Sequence, residues 1–280
     1  MCMMRFGPAG YPEGAKDGAN AVELVKGKGL DALELQFGRQ VNMNDERAAA
    51  IRNKAEVLDI KLSAHAPYYI SFNSVPETYE KSKEWVMRTA RVADKAGAWI
   101  IVIHAATYAG KEPEVATEAV SRGLSECLVQ MEREGLEVVL GLETMGRGST
   151  WGTLEEIRSV VRSFKGVLPV VDFAHIHARY GGSLRTQSDF RKVVQDAASV
   201  SHDRLHCHYS CIEYTKAGEK KHLSLSTRDP DFSLLVPVLH DLDMECTIIC
   251  ETPQPVQDAV AMREEYARSC SHVGQPHEQQ

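Results

Sequence analysis

The feature that most constrains the fold is a repeated alternation. Eight short apolar runs, each too short for a helix, are separated by longer amphipathic segments. The runs are Arg5 to Gly7, Ala32 to Leu35, Lys61 to Ala64, Trp99 to Ile103, Val138 to Leu142, Val167 to Val171, Arg204 to His208 and Cys246 to Cys250. Near-continuous apolar runs of this length read as strands buried on both faces, the habit of a parallel sheet covered by helices. The intervening segments predict helices over Ala15 to Lys28, Asp45 to Leu58, Pro76 to Ala96, Glu114 to Glu134, Leu154 to Ser163, Ser188 to Ser199, Asp231 to Leu239 and Gln257 to Ala267. Asn44 and Thr153 are placed to cap helix starts, and Gly97 and Gly135 to stop helices. Eight βα units imply an α/β chain closed into a single (β/α)8 TIM barrel. One domain over residues 1–268 is expected, followed by a polar, flexible tail over residues 269–280.

With 280 residues, 43% of them hydrophobic, the chain can bury one large core. A formal net charge of -7 excludes a generally basic nucleic-acid surface, so any such contact must be local. The seven cysteines are odd in number and scattered, which suggests reduced core thiols rather than a disulfide framework. The first residues do not resemble a signal peptide, and no stretch reaches the ~18 apolar residues of a membrane span. A cytoplasmic monomer is the expectation.

The chemistry concentrates at the downstream ends of the runs. His65 follows KLSA, His104 follows WIIVI, Glu143 follows VVLGL, Asp172 follows VLPVV, His208 follows RLHC and Glu251 follows CTIIC. In a parallel barrel those ends converge on one face, where residues remote in sequence can share a metal site. Any one of them alone would read as a salt bridge or buried hydrogen bond. Glu143, Asp172, His208 and Glu251 together suit one divalent ion that polarises a hydroxyl, carbonyl or phosphate oxygen. His65, His104, His175 (three residues after Asp172) and His222 exceed what one four-coordinate ion can use and imply a multinuclear site. Glu219, three residues before His222, joins them on the long segment Tyr209 to Asp229, which is expected to fold over the same face. His177, His202, His206 and His240 carry no comparable case. His206 is expected to point to the opposite side of its strand from His208.

The ordered set HAPY, IVIHAAT, GLETMGRGSTWG, VVDFAHIHARYG, LHCHYS, GEKKHLSL and IICETP resembles the endonuclease IV family of apurinic/apyrimidinic endonucleases, over essentially Arg5 to Ala267. That resemblance implies three zinc ions, with manganese as a possible substitute, and double-stranded DNA containing abasic sites as the partner, cut on the 5' side of the lesion. It assigns His65, His104 and Glu143 to a first zinc, and Glu143, Asp172, His208 and Glu251 to a second. His175, His222 and, as the candidate carboxylate, Glu219 fall to a third. Glu143 and Glu251 become the catalytic pair flanking the attacking water. Arg39 and Gln40 match residues that enter the helix at the lesion, and Tyr68 matches a DNA-contacting tyrosine. Two departures stand out: ExxH replaces the usual DxH in the third set, and HAAT replaces HPG after His104.

Other readings keep the barrel and change the function. A sugar isomerase or epimerase of the xylose isomerase-like class would use only Glu143, Asp172, His208 and Glu251 around one metal. A non-enzymatic protein that binds damaged DNA or metal is the third reading.

Overall fold

A computed structural model describes residues 3–270. Residues 271–280, most of the expected tail, lie outside the described residues. The eight barrel strands are β1 (Met4–Pro8), β2 (Ala32–Gln36), β3 (Lys61–His65), β4 (Ile100–Ile103), β5 (Val139–Glu143), β6 (Val167–Asp172), β7 (Arg204–Tyr209) and β8 (Glu245–Cys250). All are parallel; from β2 to β8 each pairs with its sequence neighbour, and β8 pairs with β1. At the remaining seam, between β1 and β2, the Asp31 amide donates to Phe6 O at 3.1 Å and the Gly10 amide to Glu34 O at 2.9 Å. The sheet is thereby a nearly closed barrel.

That seam depends on one glycine. A Cβ on Gly7 would stand 1.9 Å from the carbonyl oxygen of Ala32, a backbone atom that cannot move aside cheaply. Gly7→Ala is therefore expected to cost about 3 kcal/mol or more, by forcing the strands apart. Thermal melting would read this as a fall of several degrees, and an unchanged midpoint would contradict the close approach.

Helices cover the outside of the sheet. The two longest early ones run over Asp45–Leu58 and Pro76–Ala96, as their sequence signals indicate. Asn44 accepts a hydrogen bond from the Arg47 amide at 3.0 Å, and Gly97 ends the second helix in the left-handed conformation. Thr153 and Glu156 form a reciprocal capping box, and Gly135 is again left-handed. The last helix runs over Pro255–Cys270, past its expected end at Ala267. No helix among the described residues is long and apolar enough to cross a membrane.

The main core lies between strands and helices, and a smaller cluster of Ile100, Val102, Leu168 and Val170 fills the barrel itself. Side chains two apart on a strand share a face. The inward positions of β4 therefore continue to His104, and those of β6 to Asp172. The same rule corrects the expectation for His206. It shares the inward face of β7 with His208, and both rings approach the carboxylate of Glu34 on β2.

Two elements complete the face where the strands end. A short helix, Phe173–Arg179, starts directly after β6, and a β-hairpin, Cys211–Thr215 with Gly218–Leu223, occupies the long segment after β7 and packs against that helix.

Candidate metal centre

Glu143 lies at the centre of the cluster and is almost fully buried. Its Oε2 is 3.2 Å from His65 Nε2 and 2.7 Å from His104 Nε2. Its Oε1 is 3.0 Å from His208 Nδ1 and 3.4 Å from His175 Nδ1. One carboxylate thus joins histidines from four strand ends. Donor atoms lie within 4.8 Å of one another in two sets that share it: His65, His104 and Glu143, and Glu143, Asp172, His208 and Glu251.

The histidines are presented in defined orientations. A backbone carbonyl can only accept, so the ring nitrogen facing it must carry hydrogen. His65 Nδ1 donates to Ala66 O at 2.9 Å, and His175 Nδ1 to Thr144 O at 2.9 Å. Each thereby turns Nε2 toward a carboxylate, Glu143 for His65 and Glu219 Oε2, 3.0 Å away, for His175. Fixing one nitrogen so that the other is offered is the usual arrangement of metal-ligating imidazoles.

Asp172 shows why the spacing to His175 is three. It is the N-cap of the helix Phe173–Arg179, with Oδ1 accepting from the His175 amide at 2.8 Å. Its buried Oδ2 makes no hydrogen bond. An orphaned carboxylate oxygen beside Glu143 and His208 suits a cation. One oxygen caps the helix, which leaves the other free to face a cation.

The hairpin resolves the ExxH departure. Its pairing sets Tyr214 opposite Glu219, Glu213 opposite Lys221 and Ile212 opposite His222, so Lys220 is an extra residue taken up by a β-bulge. The bulge restores the phase, and Glu219 and His222 face the same way despite three-residue spacing. Gly146 makes room for this seat, because a Cβ there would lie 2.3 Å from Glu219 Oε2. The third set is looser than the others. The His222 and His175 rings are 5.5 Å apart, and His222 Nδ1 meets Ser210 Oγ at 2.9 Å.

Electrostatics follow from this crowding. Burial alone would raise the Glu143 carboxyl, but the charges and hydrogen bonds of His208 and His104 hold it well below the usual range. Burial alone would lower His65, but the hydrogen bond and charge of Glu143 lift it to about 9. His175 and His208 are likewise lifted against burial, chiefly by Asp172 and by Glu251 respectively. Burial, with the charges of Glu143 and Asp172, raises Glu251. Nitrogens and carboxylate oxygens this close repel as two acceptors unless a proton or a cation lies between them. The donor set fits divalent metal ions.

Glu251 opens onto a pocket of about 450 Å³ also lined by Gly10, Gln36, Tyr68 and His222. Tyr68 is 55% exposed, with its ring 5.4 Å from that of His65 and 5.6 Å from that of His104. Its amide donates to Gly38 O at 3.1 Å, which ties it to the exposed turn carrying Arg39 and Gln40. Those three side chains belong to adjoining loops at the rim.

Glu34 lies outside the sequence candidates although it is fully buried within this network. Its signal was an acidic residue in the middle of an apolar strand, ALELQ. Such a residue is easily taken for the polar side of a pleat.

Residues 15–271 match the family described as xylose isomerase-like TIM barrel. The chain belongs to that family. An uncharacterized protein of Methanocaldococcus jannaschii is 32% identical over 269 residues, covering 94% of this chain and 97% of its own length. A probable endonuclease 4 of Bacillus licheniformis is 25% identical over 261 residues, covering 89% and 84%. Among solved structures, endonuclease IV from Thermus thermophilus superposes with a TM-score of 0.75 at 19% identity, covering 96% of this chain and 99% of that one. A D-tagatose 3-epimerase-like protein gives the same TM-score of 0.75 at 17% identity, covering 96% and 99%. Identities that low speak for the fold alone, and this family fold is found both in a nuclease and in an epimerase-like protein. The resemblance to endonuclease IV seen in the sequence is consistent with these relatives.

Proposed function

We propose that this protein is a metal-dependent phosphodiesterase that cleaves DNA on the 5' side of abasic sites, leaving a 3'-hydroxyl and a 5'-deoxyribose phosphate. The observation that carries the reading is the double engagement of Glu143, with His65 and His104 on one oxygen and His208 and His175 on the other. A single-ion sugar epimerase has no use for His65 and His104. A reaction that neutralises a phosphodiester and stabilises a leaving alkoxide does.

Zinc ions held by His65, His104 and Glu143, by Glu143, Asp172, His208 and Glu251, and by His175, Glu219 and His222 would supply positive charge and an acidified water. The chain's own side chains do the rest. Glu143 keeps the two inner donor sets in register, and Glu251, at the pocket wall, is placed to accept a proton from the attacking water. Tyr68, Arg39 and Gln40 engage the lesion from the rim. An abasic nucleotide costs less to swing out of the stack than a paired base, so three rim side chains can exploit that weakness without a basic surface.

A second reading, a sugar epimerase built on Glu143, Asp172, His208 and Glu251 alone, is favoured by the closeness of that set and by the epimerase-like structural neighbour. Elemental analysis combined with incision of a duplex bearing one abasic site separates the two. About three zinc ions per chain and a cut leaving a 3'-hydroxyl are expected. A single divalent ion with no incision would reject the nuclease reading.

A further inference from the structure

Below the mouth of the barrel lies a charged side chain that the proposed chemistry does not use. Glu34 Oε2 accepts from Ser63 Oγ at 2.9 Å, and lies 3.0 Å from His206 Nε2 and 3.1 Å from His208 Nε2. Its Oε1 accepts from Gln36 Nε2 at 2.9 Å. An ionised carboxylate has no hydrogen to give, so the ring nitrogens that face it are the N–H nitrogens. The layer beneath is apolar, and a lone carboxylate buried there would be strongly unfavourable. Four polar partners offset that cost. What the charge does is touch His208.

We propose that Glu34 is a positioning residue for His208. It holds Nε2–H down into the barrel and turns Nδ1 up toward Glu143, Asp172 and Glu251, which together would hold a divalent cation. The proposal rests on the metal-site reading above. His65 and His175 have their second nitrogen held by backbone carbonyls, whereas His208 has a carboxylate, which orients the ring, fixes its tautomer and makes the free nitrogen a stronger donor. Ser63, Gln36 and His206 in turn leave Glu34 no freedom to rotate. The inward placement of His206 thereby acquires a purpose, since its ring pins the same oxygen that pins His208.

The test uses the full chain, stripped and reloaded with Co2+ as the probe. Glu34→Gln is expected to weaken Co2+ binding about 10- to 100-fold at one site and to alter the visible absorption of the loaded protein, while uptake at the His65 and His104 set stays as in the parent. Ser63→Ala, which removes one bond to Glu34 without disturbing the charge, is expected to move affinity in the same direction by less. Nitrogen-15 spectra of the zinc-loaded protein should show the His208 proton on Nε2. Parental affinity and spectrum in Glu34→Gln, or the proton on Nδ1, would overturn the assignment. Should Glu34→Gln not fold, an unchanged affinity in Ser63→Ala would do the same. Failure of the parent itself to take up Co2+ would remove the metal reading as well, whereas tight uptake indifferent to Glu34 would remove only this inference.

Discussion

Replacing Glu143 by glutamine is expected to lower incision of an abasic duplex by about a thousandfold or more while leaving affinity for the uncut duplex within about tenfold. Each oxygen of this carboxylate faces two imidazoles. Glutamine keeps the shape and offers one oxygen and one NH2 group. Whichever way the amide turns, one donor set meets hydrogens where it had lone pairs, and loses its shared ligand. The negative charge that would balance cations held there is lost as well. The rim side chains Tyr68, Arg39 and Gln40 lie outside this set of contacts, so under the proposed function recognition of the lesion should be separable from cutting. Single-turnover incision and fluorescence anisotropy on the same abasic duplex measure the two effects. Near-parental incision would sink the nuclease assignment.

Much of this architecture is legible in the sequence, for identifiable reasons. Strands such as Ile100–Ile103 are apolar at every position because they are buried on both faces, and only a helix-covered parallel sheet asks for that. The helix Asp45–Leu58 was readable to the residue because Asn44 accepts a local hydrogen bond that does not depend on tertiary context. Six metal-site candidates were legible because a parallel barrel converts a position at a strand end into a shared location.

The remainder depends on contacts between distant segments. The hairpin after β7 carries Glu219 and His222 on one face only because a bulge at Lys220 absorbs a residue, and that shift blurs the period-two pattern. The helix Phe173–Arg179 lacks a polar side because nearly all of it is buried between β6 and the hairpin, so periodicity does not announce it. Glu34 and His206 become intelligible together, since neither has a reason to be buried until β2 and β7 face each other across the barrel. His206 was also misplaced by parity, as residues two apart on a strand point the same way.

Stripped of metal, the protein is expected to lose stability as pH rises from about 6.5 to about 9, the reverse of the trend in the loaded form. His65 sets the sign. Burial alone would lower it, but Glu143, with help from Glu34 and Glu251, raises it from 6.5 to about 9. A group bound more tightly to its proton in the folded state contributes stability that is fully present below its unfolded value and lost as pH climbs through the folded one. The size is about 3 kcal/mol for His65 alone, and His175 and His208 shift in the same direction. Glu143, held low, works oppositely, and its contribution is lost only on strong acidification. Cations need the same nitrogens bare, so at neutral pH metal binding must displace protons, and the stabilisation metal provides must grow toward pH 9. Melting curves of stripped and zinc-loaded protein at pH 6.5, 7.5 and 9 should therefore diverge by about 5 °C or more. Calorimetric titration in buffers of different ionisation enthalpy should register proton release with each ion bound. A stripped protein whose melting point held steady or rose across this interval would mean that the histidines are not protonated against Glu143, Asp172 and Glu251. The network of short contacts around Glu143 would then need another explanation than protons occupying the seats of cations.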